Sequence, residues 1–114
     1  MNIEQRDLLL VPFPFSDQSG KKVRPVIVIS NNEFNKSSED LIVVGVTSNI
    51  FKDKYTADFG NVDLEEGKLL DRCCIKVENI LRIDKKLIIK KIGRIKREKF
   101  TEIVSIFNSI LREV

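Results

Sequence analysis

Two groups of polar side chains interrupt the apolar runs of this 114-residue chain, and both carry chemistry. Arg24 stands between Val23 and Pro25 at the mouth of the run Val26–Ser30. An arginine beside a buried-type segment is costly to bury without a partner. It is either a structural ion-pair partner or an anion-binding group, and the pattern alone leaves both open. Thr47, Ser48 and Asn49 end the run that begins at Leu41, setting hydroxyl and amide groups side by side. They read either as a plain strand-end turn or as a polar functional cluster. The chain contains no histidine, which excludes histidine metal sites, Ser-His-Asp triads and paired-imidazole nucleases. Its two cysteines, Cys73 and Cys74, are adjacent. Neighbours on a strand point to opposite faces and a vicinal disulfide is strained, so buried or edge thiols are expected. No CxxC pair or further thiolate supports a metal or redox role.

Charge adds a third feature. The net charge is only +3, yet residues 82–99 hold nine basic groups against Asp84 and Glu98, a local +7. Acidic residues gather between Asp58 and Asp71. Such a basic block either holds a polyanion or acidic protein, or is a solvated strand face and helix start. Hydrophobic content of 42% with 32% charged residues indicates a folded, soluble chain, and the length suits one domain over 1–114. No run approaches the ~18–20 apolar residues of a membrane span. The opening MNIEQRD lacks a secretory pattern, so a cytoplasmic location is expected, with no membrane partner.

The elements that position these residues are legible in outline. Asp7 to Phe13 and Val23 to Ser30 are apolar runs of strand length, with Pro25 expected near a strand start or on an edge. Pro14 to Lys22 has the turn chemistry of a loop. Asn31 to Asp40 has room for one helical turn. Leu41 to Thr47 is a second buried-type strand in which Gly45 marks a bend, bulge or close approach. Tyr55 to Phe59, Cys73 to Val77 and Leu87 to Ile95 complete the strands. A turn-rich GNVDLEEGK precedes Cys73, ENILRIDKK follows Val77, and Gly93 suggests a bulge. From Phe100 the period changes to that of a helix, with Ile103, Val104, Phe107, Ile110 and Leu111 on one face and Ile106 beside it. No capping residue fixes its start near Arg97. The prediction is a mainly β protein with α, a small antiparallel barrel or sandwich with a C-terminal helix packed outside.

Four ordered blocks carry a resemblance. Asp7 to Asp17 followed by Gly20 and Val23-Arg24-Pro25-Val26-Ile27-Val28-Ile29-Ser30-Asn31 resembles the opening of the MazF/PemK-like toxin endoribonucleases. Val43 to Asn49, Cys74 to Lys85 and Lys91 to Ile95 resemble that family's later strands, in its order and spacing over nearly the whole chain. The resemblance implies an SH3-like barrel of the CcdB/PemK/MazF type and a two-fold dimer. It implies the toxin of a type II toxin–antitoxin system, with a cognate antitoxin as partner. It also implies metal-free cleavage of single-stranded RNA, often messenger RNA, with no cofactor.

Carried over residue by residue, the catalytic arginine falls on Arg24 and the threonine on Thr47, with Ser48 helping to orient the phosphate. The first loop borders the site in relatives, which brings in Asp17, Gln18, Ser19, Lys21 and Lys22. Asp17-Gln18-Ser19 stands where some relatives have a Glu-Gln pair. Glu78, a loop acid or water is the candidate general base, and Asn79 replaces a more usual Gln or Lys near the bases. Relatives commonly carry glycine where this chain has Arg6; if that position needs φ > 0, the start of the first strand is expected to differ locally. In the implied reaction the ribose 2′-hydroxyl attacks phosphorus and the 5′-oxygen leaves. A permanently charged, forked guanidinium suits the charge that develops on the phosphate oxygens. Two other functions share the sequence features: a CcdB-like gyrase poison that is not a nuclease, and an SH3-like nucleic-acid-binding module using residues 82–99. With 7% aromatics and no tryptophan, the chain offers the latter few stacking surfaces.

Overall fold

Leucine-rich and β-branched runs become strands whose two faces are both covered, which is why they lack polar alternation. The computed structural model describes residues 2–13, 22–50 and 53–112. Strand β1 (Asp7–Phe13) sends Leu8 to one core and Leu9 and Val11 to the other. Beside it runs β2 (Lys22–Val28), with Val11 opposite Arg24 and Leu8 opposite Ile27. The short helix α1 (Asn32–Ser37) is capped by Asn31, whose side-chain oxygen accepts from the Phe34 N–H at 2.8 Å. Strand β3 (Asp40–Thr47) returns along β2, setting Val26 opposite Gly45. After β4 (Thr56–Phe59) and a 3₁₀ turn at Asn61–Asp63 come β5 (Leu64–Gly67) and the long β6 (Cys73–Asp84). A second 3₁₀ turn at Lys85–Leu87 leads to β7 (Lys90–Ile95) and helix α2 (Arg97–Leu111).

Among the described residues these strands form one antiparallel sheet in the order β4-β6-β3-β2-β1-β7-β5. It curls into a half-barrel of the expected kind, with β4 and β5 at its edges. On one face Leu8, Ile27, Val44, Phe59, Ile75 and Ile95 bury against Ile103 of α2. Phe100, Ile106, Phe107 and Ile110 pack half-buried on the same cluster. Ile106 is therefore part of this packing and not spare apolar surface; Val104 and Leu111 are the exposed apolar positions of the helix. The other face is a second cluster built from Leu9, Val11, Val26, Val28, Leu41 and Val43. No described helix is long and apolar enough to cross a membrane.

The structure differs from the sequence reading in four places. ENILRIDKK is not a connection: β6 runs on to Asp84, pairing Ile80, Leu81 and Ile83 with Val44, Val43 and Leu41. The strand absorbs Val77, Glu78 and Asn79 as a bulge, because Gly45 pairs with Lys76 while Val44 pairs with Ile80. Next, β7 begins at Lys90 and not Leu87, since the Asp84 side chain accepts from the Lys86 N–H at 2.8 Å and caps a 3₁₀ turn there. Leu64–Gly67, read as part of a turn, is strand β5 on β7, where a Cβ on Gly93 would lie 2.5 Å from the Glu66 carbonyl oxygen. The bulge foreseen at Gly93 occurs beside it, at the register shift between Leu8 and Leu9.

The fourth difference concerns Arg6, which takes φ = +78° itself, so the start of β1 keeps the left-handed turn without a glycine. That conformation costs an L-residue about 1–2 kcal/mol. Its backbone bonds both neighbours, Arg6 N–H to Val28 O at 2.9 Å and Ile95 N–H to Arg6 O at 3.0 Å. Its guanidinium donates to the Ile95 carbonyl at 2.8 Å and to Glu65 at 3.0 Å. This hydrogen bond holds the Glu65 carboxyl below the usual range.

Candidate functional site

Arg24 and Thr47 lie on adjacent strands, two residues beyond the Val26–Gly45 pair in each direction. Since Val26 and Val43 face the second core cluster, alternation puts Arg24 and Thr47 on that same face. Arg24 is half-buried, and its Nη1 donates to Thr47 Oγ1 at 3.3 Å. The Asn49 N–H donates to the same oxygen at 3.1 Å. A hydroxyl has two acceptor sites and one donor. With two donors already directed at the Thr47 oxygen, its remaining capacity is the O–H itself. The pair thus presents a forked cation beside an oriented hydroxyl donor, an arrangement that suits a phosphate or another oxyanion.

Around the pair, Lys22, Val23, Pro25, Ser48 and Cys73 complete the walls of a cleft of about 400 Å³ that Arg24 also lines. Lys22 and Ser48 are exposed at this cleft. A larger apolar cleft of about 450 Å³ adjoins it, sharing Val23, Pro25, Ser48 and Cys73 and extending to Leu10 and Ile92. These walls come from β1, β2, β6 and β7, so no local pattern in the sequence could have marked them. Glu78 and Asn79 sit exposed on the β6 bulge, and the Asn79 carboxamide lies over Gly45. Asp17, Gln18, Ser19 and Lys21 lie outside the described residues.

The basic block reads differently in three dimensions. Asp7, wholly buried, accepts from Arg94 Nε at 3.0 Å and Lys91 Nζ at 3.1 Å. Arg94 also reaches Glu4 at 2.6 Å, and its hydrogen bond to Asp7 raises its pKa above the ordinary guanidinium value. Arg82 pairs with Asp40 at 2.8 Å, Lys99 with Glu102 at 2.7 Å, and Lys85 donates to the Asn35 carbonyl. More than half of the block therefore serves internal contacts. Lys86, Lys90, Lys96 and Arg97 are its remaining exposed cations. Cys73 and Cys74 are buried free thiols, as expected. Burial pushes the Cys73 thiol up, with Asp71 and Cys74 adding to the shift, which makes it a poor nucleophile.

Residues 4–111 match the profile of the PemK-like, MazF-like toxins of type II toxin–antitoxin systems. Among solved structures, the fold is similar to an endoribonuclease in complex with its cognate antitoxin from a mycobacterial species. The TM-score is 0.77 at 16% identity, over 96% of this chain and 94% of that one. It is similar to the Mycobacterium tuberculosis toxin MazF-mt6, with TM-score 0.76 at 13% identity, over 96% of this chain and all of that one. It is also similar to a MazE–MazF structure from Deinococcus radiodurans, with TM-score 0.77 at 15% identity, over 97% of each chain. At these identities the structures speak for the fold, and the profile, matched over almost the whole sequence, speaks for the family. The chain belongs to the PemK-like, MazF-like toxins of type II toxin–antitoxin systems.

Proposed function

We propose that this toxin is an endoribonuclease that cleaves single-stranded RNA without a metal, leaving a 2′,3′-cyclic phosphate and a 5′-hydroxyl. The observation that carries the reading is the contact between Arg24, which lines an open cleft, and the buried Thr47 hydroxyl behind it. The ribose 2′-hydroxyl gives its proton to a base as its oxygen attacks the adjacent phosphorus, and the P–O5′ bond breaks as O5′ takes up a proton from Arg24 or water. Arg24 stabilises the charge that grows on the non-bridging oxygens, where a preorganised donor is worth most. Thr47 donates its O–H to one of those oxygens and fixes the phosphate in register. Ser48 and Lys22, exposed on the same cleft, bind the strand on either side. The nucleophile is a 2′-hydroxyl, so DNA is not a substrate. The exposed Glu78 is the candidate base from the described residues.

A cognate antitoxin and a second copy of the toxin are the proposed partners. Two of the similar structures are complexes with an antitoxin. The deciding experiment incubates the purified protein with RNA in EDTA and maps the ends. Cyclic phosphate and 5′-hydroxyl ends are expected, and Arg24→Lys should be about 10²- to 10³-fold slower, the cost of losing one preorganised donor. Products bearing 5′-phosphate, RNA binding without cleavage, or trapped gyrase–DNA complexes would each overturn the reading. Sedimentation at micromolar concentration tests the dimer, for which a purely monomeric species counts as failure.

A further inference from the structure

Cutting at Arg24 leaves two ends, and the walls around it can keep both. The cleft that Arg24 lines and the apolar cleft of about 450 Å³ beside it are continuous through Val23, Pro25, Ser48 and Cys73. A cavity of this size suits a small ligand or one unit of a longer one. Its far walls include Leu10, Leu69 and Ile92, and they are firmly held. The Asn61 side chain clamps both backbone groups of Leu69, accepting from its N–H at 2.7 Å and donating to its carbonyl at 3.2 Å. Gly67, at φ = +88°, brings the end of β5 so close to β7 that a Cβ there would strike the Ile92 carbonyl oxygen. The junction between the clefts offers little to water. The side chains of Val23 and Pro25 are apolar, and the Cys73 thiol already donates to the Asp71 carbonyl at 3.4 Å. That leaves the Ser48 hydroxyl, whereas a held water needs two to four polar partners.

We propose that the protein has a second activity, joining an RNA that ends in a 2′,3′-cyclic phosphate to one that begins with a 5′-hydroxyl. This rests on the ribonuclease reading given above. The 5′-hydroxyl gives its proton back to the group that supplied it as O5′ attacks the cyclic phosphorus. The P–O2′ bond breaks, and O2′ recovers the proton that the base removed during cleavage. One P–O bond forms and one breaks in either direction and no water is consumed, so the concentration of ends sets the direction. Arg24 and Thr47 stabilise the same transition state both ways. Hydrolysis of the cyclic phosphate is the competing fate, and seating decides between them. A bound, oriented hydroxyl acts at an effective concentration of about 10⁵–10⁸ M, which liquid water does not approach. While both ends occupy the two clefts, joining should therefore outrun hydrolysis by at least about 10³-fold.

The test gives the full chain two oligonucleotides at saturating concentration in EDTA, one ending in a 2′,3′-cyclic phosphate and one beginning with a 5′-hydroxyl. Together they restore a sequence that the protein cuts. Denaturing gels should show the joined strand, at the same ratio of joined to cut RNA that is reached from the intact strand. A 3′-phosphate in place of the cyclic phosphate, or a 5′-phosphate in place of the hydroxyl, should abolish joining. Arg24→Lys should slow joining and cutting by the same factor; undiminished joining in that variant would overturn the proposal. Val23 is 46% exposed at the junction of the clefts, so Val23→Glu brings a water-binding carboxylate there and should raise the share of cyclic phosphate that is hydrolysed. A wild type that cuts no RNA removes the ribonuclease reading and the proposal with it. If the wild type cuts RNA but joins no ends, or hydrolyses the cyclic phosphate as fast as it joins, only the proposal is overturned. Circular dichroism checks that Val23→Glu folds. If it folds and hydrolyses no more than wild type, the seating argument is refuted; if it does not fold, the wild-type rates of joining and hydrolysis decide.

Discussion

Asp7→Asn should unfold this protein far more readily than its conservative appearance implies. The Asp7 side chain is fully buried and takes two cations, Arg94 and Lys91, while its Oδ2 accepts from the Glu4 N–H at 2.8 Å. Stripping one partner from a fully buried pair costs about 3–5 kcal/mol, whereas an exposed pair is worth about 0.2–1 kcal/mol. Here the carboxylate is inaccessible, but the Arg94 and Lys91 side chains are 19% and 30% exposed, so water recovers part of the loss. Arg94 also keeps Glu4. The expected cost is about 2–3 kcal/mol, a large share of the roughly 5–15 kcal/mol that holds a domain together. For a chain of this size that lowers Tm by roughly 6–18 °C. Thermal melts at pH 7 by circular dichroism measure it, and Arg94→Gln in a double-mutant cycle isolates the pair. An Asp7→Asn protein melting within about 2 °C of wild type would falsify the claim that these basic residues serve the fold.

Thr47→Val keeps the side-chain shape and removes the hydroxyl, so single-turnover RNA cleavage should fall about 10- to 100-fold, as expected for a hydrogen bond to a charged group. Thr47→Ser should retain most of the rate, and a fully active valine variant would remove Thr47 from the site. At position 6, glycine relieves the left-handed backbone while valine aggravates it, so urea unfolding should find Arg6→Val less stable than Arg6→Gly by about 1–2 kcal/mol. Equal stabilities would show that φ there carries no strain. The Cys73 thiol has its pKa raised on folding, so the native state holds a proton that the unfolded chain releases first. Stability should be unaffected below the ordinary thiol range near ~8.5 and decline as pH rises through the raised folded value, with Cys73→Ala flattening that decline. An unchanged alkaline profile in Cys73→Ala would rule the thiol out.

How much of this was legible depended on whether the signal was local. β1, β2 and β3 were visible because both their faces are buried, leaving unbroken runs of Leu, Val and Ile. β5 was not, because only Leu64 of Leu64–Gly67 is buried and the rest reads as a polar turn. The continuity of β6 was hidden by Glu78 and Asn79, which are polar because they bulge out, although Leu81 and Ile83 still alternate beyond them. The basic block misled for a related reason. Charge counting cannot see that Arg94 is bound to Asp7, 87 positions away in sequence. Arg24 and Thr47 stood out singly as misfits, but only the resemblance joined them; the physical link is the Val26–Gly45 register.

That register also explains why the pair faces an opening. The ladder between β2 and β3 runs from Val28 to Val26 and goes no further, and Pro25, with no N–H to give, stands where it ends. Each strand is still held from its far side. Arg24 is registered against Val11 of β1, and Thr47 against Cys74 of β6. Both strands are thus fixed on their outer edges, and beyond the last ladder pair Arg24 reaches Thr47 by side-chain contact. Groups mounted on paired strands are held more accurately than groups on loops, which transition-state stabilisation requires. The unlaced edge, meanwhile, gives a ligand access that a continuous ladder would deny. The proline expected near a strand start stands where the β2–β3 ladder ends, beside the site of a curled sheet.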